Sequence, residues 1–215
     1  MKKFYFISGL GSTKESIQDF EKEMNQFGYE VQFIDIPGQY SNRDVKIQSE
    51  QDLIEWLISE IPVESNVIAF SMGADIAIRY HSYLQARNLV VLDGGIIDYD
   101  LMNITLEEDI AMTKSYIKEN QLDMNAETIS KLTSLLREHY IDIFHAGLNT
   151  ETLLLLSDHP DFVYKYKKDK IEANHDSMNH LKLQFIKDTS HELYVEKPKE
   201  VTNSIMTWLK ERTTN

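Results

Sequence analysis

The sequence predicts an α/β protein: a mostly parallel sheet flanked by helices, with an inserted helical segment. Three observations carry this expectation. The first 95 residues alternate short apolar runs with amphipathic stretches four times. The apolar runs are nearly continuous, as in strands buried on both faces. The alternation stops near residue 99 and resumes near residue 158, which divides the chain into a core of residues 1–98 and 158–215 and a helical cap of residues 99–157.

Each element has its own signal. Phe4-Tyr5-Phe6-Ile7 is a run of β-formers closed by Ser8-Gly9-Leu10-Gly11-Ser12, and Ile17, Phe20, Met24 and Phe27 then recur at helical spacing up to Gly28. Tyr29 to Asp35 reads as a second strand running into the turn Ile36-Pro37-Gly38. Leu53, Ile54, Trp56, Leu57 and Ile61 share one helical face, and Pro62 stops that helix before the strand Asn66 to Phe70. A helix follows through Ile76, Ala77, Tyr80 and Leu84, and then the strand Leu89 to Leu92, which ends in Asp93-Gly94-Gly95. Thr105-Leu106-Glu107-Glu108 has the form of a capping box, Asn125-Ala126-Glu127 caps a second helix, and residues 140–156 read as further helix. Phe162 to Tyr166 and Leu183 to Ile186 read as strands, and residues 200–212 as a closing amphipathic helix.

Composition narrows the function. The 215 residues include 22 Lys+Arg against 35 Asp+Glu, a formal charge of −13, and an acidic surface without a basic stripe disfavours nucleic acid as a partner. The absence of cysteine excludes disulfides, thiolate metal sites and cysteine nucleophiles, and fits a reducing cytoplasm. Met1-Lys2-Lys3 opens on a strand rather than a secretion signal, and no apolar run approaches the roughly 20 residues of a membrane-spanning helix. His175 and His180 are five apart and do not share a helix face, so no metal site is expected; His81, His139, His145 and His159 have no motif around them. Gly9-x-Gly11 lacks the third glycine of a dinucleotide loop, since position 14 is Lys14, and no cofactor is implied.

The sharpest feature is Val67-Ile68-Ala69-Phe70-Ser71-Met72-Gly73-Ala74, an apolar strand turning through a serine with small residues two positions to either side. Taken singly, Ser71 also suits a helix N-cap. The segment resembles the nucleophile elbow of the α/β-hydrolase family, with Ala69 in place of the first glycine of G-x-S-x-G. Ser8-Gly9-Leu10-Gly11-Ser12 is similar to the family's oxyanion loop, with Ser8 where histidine is usual. Asp35-Ile36-Pro37-Gly38 resembles the Asp-x-Pro-Gly turn after the next strand. His191, in a loop after a strand and followed by Glu196-Lys197-Pro198, matches the family's histidine.

The resemblance implies a serine hydrolase acting on a small carboxylic ester or thioester. Ser71 would be the nucleophile, His191 the base, and the main-chain N–H groups of Leu10 and Met72 the oxyanion hole. Asp169 is the expected acid, because Tyr166-Lys167-Lys168-Asp169 stands where the family has Gly-x-x-Asp; Asp93, ending the strand after the nucleophile, and Asp176 are the alternatives. Met102, Met112, Met124, Phe144 and Leu153 to Leu156 are available for core packing or for an apolar acyl pocket. A ligand-binding or sensing protein on the same fold, or a lyase or acyltransferase, are the other functions the resemblance leaves open.

Overall fold

The computed structural model describes residues 2–178 and 180–213, and of Asp100, Met102 and Thr213 the backbone only. In chain order the elements are β1 (Lys2–Ile7), α1 (Gln18–Gln26), β2 (Tyr29–Ile34), α2 (Glu50–Glu60), β3 (Asn66–Phe70), α3 (Met72–Arg79), the single turn α4 (His81–Leu84) and β4 (Asn88–Leu92). There follow α5 (Leu106–Glu119), α6 (Ala126–Glu138), β5 (Thr152–Ser157), α7 (Asp161–Ala173), β6 (Leu181–Ile186), the short α8 (Leu193–Glu196) and α9 (Pro198–Thr213).

The six strands form one sheet in the order β2-β1-β3-β4-β5-β6, with every neighbouring pair parallel. The pleat sends alternate residues to opposite faces. Ile68, Phe70, Val90, Leu92, Leu153 and Leu155 pack with Phe20, Tyr194, Val201, Ile205 and Trp208 from α1, α8 and α9. Val67, Ala69, Leu89, Val91, Leu154 and Leu156 pack with Leu53, Leu57, Ala74, Ile129 and Leu132 from α2, α3 and α6. Two dry layers therefore enclose the sheet, which explains the unbroken apolar strands. After β1 the chain steps outward to β2 and then returns to the other side as β3. The carboxyl ends of β1 and β3 thus flank the switch in winding direction, where open α/β sheets place their ligands.

Two expectations are corrected. Residues 152–157, read as the end of the helical cap, form β5, whose residues are all buried and which pairs with β4 and β6. A run of four leucines has no helical or alternating period to decide its state, and burial on both sheet faces decides it here. Phe162 to Tyr166, read as a strand, form the first turns of α7. Two parallel neighbours need a crossover between them, and α7 is the crossover from β5 to β6. Between β4 and β5 lie a 3-10 turn at Tyr99–Met102 and the helices α5 and α6, each opened by the Thr105 or Asn125 cap that the sequence marks. Among the described residues no helix is long and apolar enough to cross a membrane.

Leu154→Ala is expected to lower the free energy of unfolding by about 2–5 kcal/mol, because it opens a cavity in a fully buried strand. Urea denaturation measures this, and a loss typical of an exposed helical residue would contradict the placement of β5.

Candidate active site

The site begins with a strained residue. Ser71 links β3 directly to α3 at φ 52°, ψ −121°, a conformation that a residue with a Cβ rarely adopts. The turn is pinned by Ser71 N–H donating to Leu92 O at 3.2 Å and by Ser71 O accepting from Ala74 N–H at 2.8 Å. Gly73 is where the close approach becomes obligatory. A Cβ there would lie 2.4 Å from the Ser8 carbonyl oxygen and 2.6 Å from that of Ile7, so α3 presses its first turn against the end of β1. Ala69, fully buried, fits the small-residue requirement on the strand side.

His191 sits in the loop after β6. Its Nε2 is 2.8 Å from Ser71 Oγ and its Nδ1 is 2.8 Å from Asp93 Oδ2. The network assigns the tautomer: Nδ1–H donates to the carboxylate, and Nε2 accepts from the serine hydroxyl. The His191 ring lies against Phe70, with centroids 4.8 Å apart. Its loop is tied on both sides. Ser190 N–H and Oγ–H donate to Glu196, the Thr189 amide donates to Asp158 Oδ1 at 3.1 Å, and His159 N–H donates to Thr189 O at 3.0 Å. Asp158, His159 and Asp188 hold ligand-type atoms within 4.8 Å of one another, but Asp158 is already engaged in this tie.

The carboxylate that meets His191 is Asp93. The other two candidates lie elsewhere. Asp169 is exposed on α7 and makes no hydrogen bond or ion pair with a described residue; it stands two positions, some 200° of helical turn, from the inward-facing Lys167. Asp176 lies in the 3-10 turn His175–Ser177, exposed and paired with His175 at 3.0 Å. Asp93 ends β4 at φ 44° and is enclosed by groups that the sequence did not single out. Ser157 N–H donates to Oδ1 and Ser157 Oγ–H to Oδ2, both at 2.9 Å, and Lys167 Nζ donates to Oδ1 at 2.5 Å. Burial pushes the Asp93 carboxyl up, but the hydrogen bond from His191 and the Lys167 ammonium outweigh it and hold the group below its ordinary value.

Leu10 and Met72, the expected oxyanion donors, both line the cavity in front of Ser71. Among the described residues neither main-chain N–H has a hydrogen-bond acceptor. The loop that carries Leu10 is held by Gln39, a residue with no motif of its own. The fully buried Gln39 donates from Nε2 to Ser8 Oγ at 2.8 Å and to Gly9 O at 3.1 Å, while its Oε1 accepts from Gly11 N–H at 3.1 Å. Ser8 Oγ also accepts from Ile36 N–H at 3.2 Å. The departure from histidine at Ser8 is therefore met by a serine–glutamine pair spanning the first two strand ends.

The cavity measures about 290 Å³ and is lined by Leu10, Ser71, Met72, Asp75, Asp93, Gly94, Gly95, Ile97, Asp98, Tyr99 and His191. Asp75 accepts from Tyr99 Oη–H at 3.0 Å and from Gly95 N–H at 3.2 Å; burial raises its carboxyl to about 6 against these bonds. Of the expected pocket residues, Met112 is exposed, while Met124, Phe144 and Leu153 to Leu156 are packed in the core. The segment containing α5 and α6 nevertheless reaches the carboxyl edge of the sheet. Asn125 N–H donates to Gly38 O at 2.7 Å, Tyr40 N–H to Asp123 O at 3.0 Å, and Ile143 N–H to Gly95 O at 2.7 Å.

The parallel sheet in the order β2-β1-β3-β4-β5-β6 with helices on both faces has the α/β-hydrolase fold, which the solved structures it resembles share. The structure is similar to that of carboxylesterases of the thaumarchaeon Nitrososphaera gargenis, with TM-score 0.73 and 14% identity over 99% of this chain and 91% of that one. It is also similar to MenH from S. aureus (TM-score 0.67, 18% identity, 99% and 94% covered) and to an esterase from Exiguobacterium antarcticum (TM-score 0.64, 13% identity, 98% and 92% covered). No protein-family model matches the sequence, and no curated protein matches it.

Gln39→Ala is expected to lower stability by roughly 1–3 kcal/mol, since it removes the buried bonds to Ser8 Oγ and Gly9 O and takes the acceptor from Gly11 N–H. An unchanged urea transition would contradict the brace. Asp75 gives a pH signature. Its carboxyl is raised in the folded chain, so above about pH 6 folding must keep an ionised group buried, and the cost disappears as the pH falls and the group protonates. Asp75→Asn should therefore raise the melting temperature more at pH 8 than at pH 5; an equal change at both would exclude the burial penalty.

Proposed function

We propose that the protein is a serine hydrolase that cleaves a small carboxylic ester or thioester through an acyl-enzyme on Ser71. The observation that carries this reading is the unbroken line of 2.8 Å contacts from Ser71 Oγ through His191 to Asp93. A serine hydroxyl is a weak nucleophile until a neutral imidazole takes its proton. In this mechanism Ser71 Oγ attacks the substrate carbonyl carbon as its proton passes to His191 Nε2. Asp93 keeps the tautomer and stabilises the imidazolium. The oxyanion accepts hydrogen bonds from the Leu10 and Met72 amides, which have no acceptor among the described residues. The intermediate then collapses, and the leaving alcohol or thiol takes the proton from His191. Water, activated by the same imidazole, attacks the acyl-enzyme, and the acid product departs with Ser71 restored.

Asp93 thus takes the role that the sequence resemblance gave first to Asp169. The segment containing α5 and α6 acts as a cap, and the cavity of about 290 Å³ sets a compact acyl group. The carboxylates of Asp75 and Asp98 in the lining favour neutral or cationic substrates over anionic ones. Esterases among the similar structures support the reaction class, and the absence of cysteine fits a cytoplasmic setting.

Labelling with a fluorophosphonate probe, read by intact mass and peptide mapping, tests the reading. Wild-type protein should take one label on Ser71, and Ser71→Ala none. Asp93→Asn should slow labelling by roughly 10²–10⁴-fold, whereas Asp169→Asn should react at the wild-type rate. A folded wild type that takes no label would overturn the enzymatic reading, and a slow Asp169 variant with a normal Asp93 variant would reverse the choice of acid.

A further inference from the structure

Lysine is among the residues least often found fully buried, yet the Lys167 side chain is wholly enclosed on α7. All three donors of its ammonium are used: Asp93 Oδ1 at 2.5 Å, Ser157 Oγ at 2.8 Å and Ser157 O at 3.1 Å. On the other side of the pair, Asp93 Oδ1 accepts from Lys167 and the Ser157 amide, and Oδ2 from the Ser157 hydroxyl and His191. Turning the carboxylate toward or away from His191 would break contacts on two other elements. A buried ion pair adds little net stability compared with a packed apolar pair of the same size, so stability alone gives weak reason for a charged residue here.

We propose that Lys167 is a positioning residue: with Ser157 it clamps Asp93 from the side opposite His191, fixing the orientation of the carboxylate and offsetting its charge. The proposal rests on the assignment of Ser71, His191 and Asp93 as the reacting machinery. The offset has a chemical consequence. With the ammonium in place, the pair presented to His191 carries no net charge. Without it, His191 faces an uncompensated buried carboxylate that favours the imidazolium, and Asp93 itself becomes easier to protonate. Both changes withdraw the active form as the pH falls, so both move the acidic limb of the rate profile to higher pH. The groups facing this cluster are Asp93 after β4, Ser157 at the end of β5, Lys167 on α7, His191 after β6 and Asp75 on α3, whose charge also acts on His191. Asp75 is common to wild type and variant, so the difference between their profiles isolates Lys167.

The experiment is the second-order rate of fluorophosphonate labelling at Ser71, measured from pH 5 to pH 9 for wild type and Lys167→Met, with folding checked by thermal melting. The expected result is a plateau about 10-fold lower in the variant and an acidic limb displaced upward by about one pH unit. A folded Lys167→Met protein with the wild-type plateau and limb would overturn the proposal and leave Lys167 a packing residue. Should Lys167→Met fail to fold, Ser157→Ala keeps the ion pair and removes only the bridging hydroxyl. It is expected to lower the plateau roughly 3-fold, and an unchanged rate would again overturn the clamp. A wild type that takes no label brings down the hydrolase reading and this proposal together, which is distinct from a labelled wild type with an indifferent variant.

Discussion

The rest of the site depends on the backbone strain at Ser71. A residue with a Cβ held at φ 52° costs about 1–3 kcal/mol, and it persists only where its surroundings leave no relaxed alternative. Here β3 is paired on both sides, by β1 and β4, and α3 begins at the very next residue. The chain cannot relax without pulling Val67 to Phe70 out of a fully buried register. The same turn drives Gly73 against the Ile7 and Ser8 carbonyls, so the strand end that carries the serine and the strand end that carries the Leu10 loop are brought together by one steric fact.

Around that point the carboxyl edge of the sheet is organised by polar ties, those of Gln39 and Lys167 buried and that of Glu196 exposed. Gln39 joins the loop after β2 to the loop after β1. Ser157 and Lys167 join β5 and α7 to Asp93 after β4. Glu196 and Asp158 hold the loop of His191. Each tie satisfies donors or acceptors of the segments that follow the strand ends. The loops are thereby held largely by partners on other elements, Gln39 and Asp158 each about 30 residues from the groups they hold, which fixes irregular segments relative to one another.

What the sequence could reveal follows from this distinction. The order of elements to Leu92 and the positions of Ser71 and His191 were legible because each depends on its neighbours: apolar period, small flanking residues, turn composition. The carboxylate that meets His191 is not legible in this way, and the reason lies in two neighbouring segments. Leu153 to Leu156 carry no period and read as part of the helical segment, so the aromatic residues Phe162 to Tyr166 read as the next strand and Asp169 stands just after it. With β5 in its observed place, residue 169 is mid-helix and exposed. Gln39 and Lys167 were illegible for a different cause. A glutamine after a turn and one lysine among several in Lys165-Tyr166-Lys167-Lys168 have nothing local to mark them, and their roles come from contacts such as Gly11, 28 residues from Gln39, and Asp93, 74 residues from Lys167.

The placement of Asp93 also explains what α7 is doing. An acid at the end of β4 stands one strand nearer the nucleophile than one at the end of β5, and its back is turned to the β5–α7 crossover instead of to solvent. That crossover then supplies the donors to Oδ1 and the second donor to Oδ2, beside His191. Ser157, closing β5, contributes an amide and a hydroxyl, and Lys167, on the buried face of α7, contributes a charge. The crossover helix thus joins the support of the site, while the loop that leaves β5 is free to tie down Thr189 through Asp158, two residues before His191.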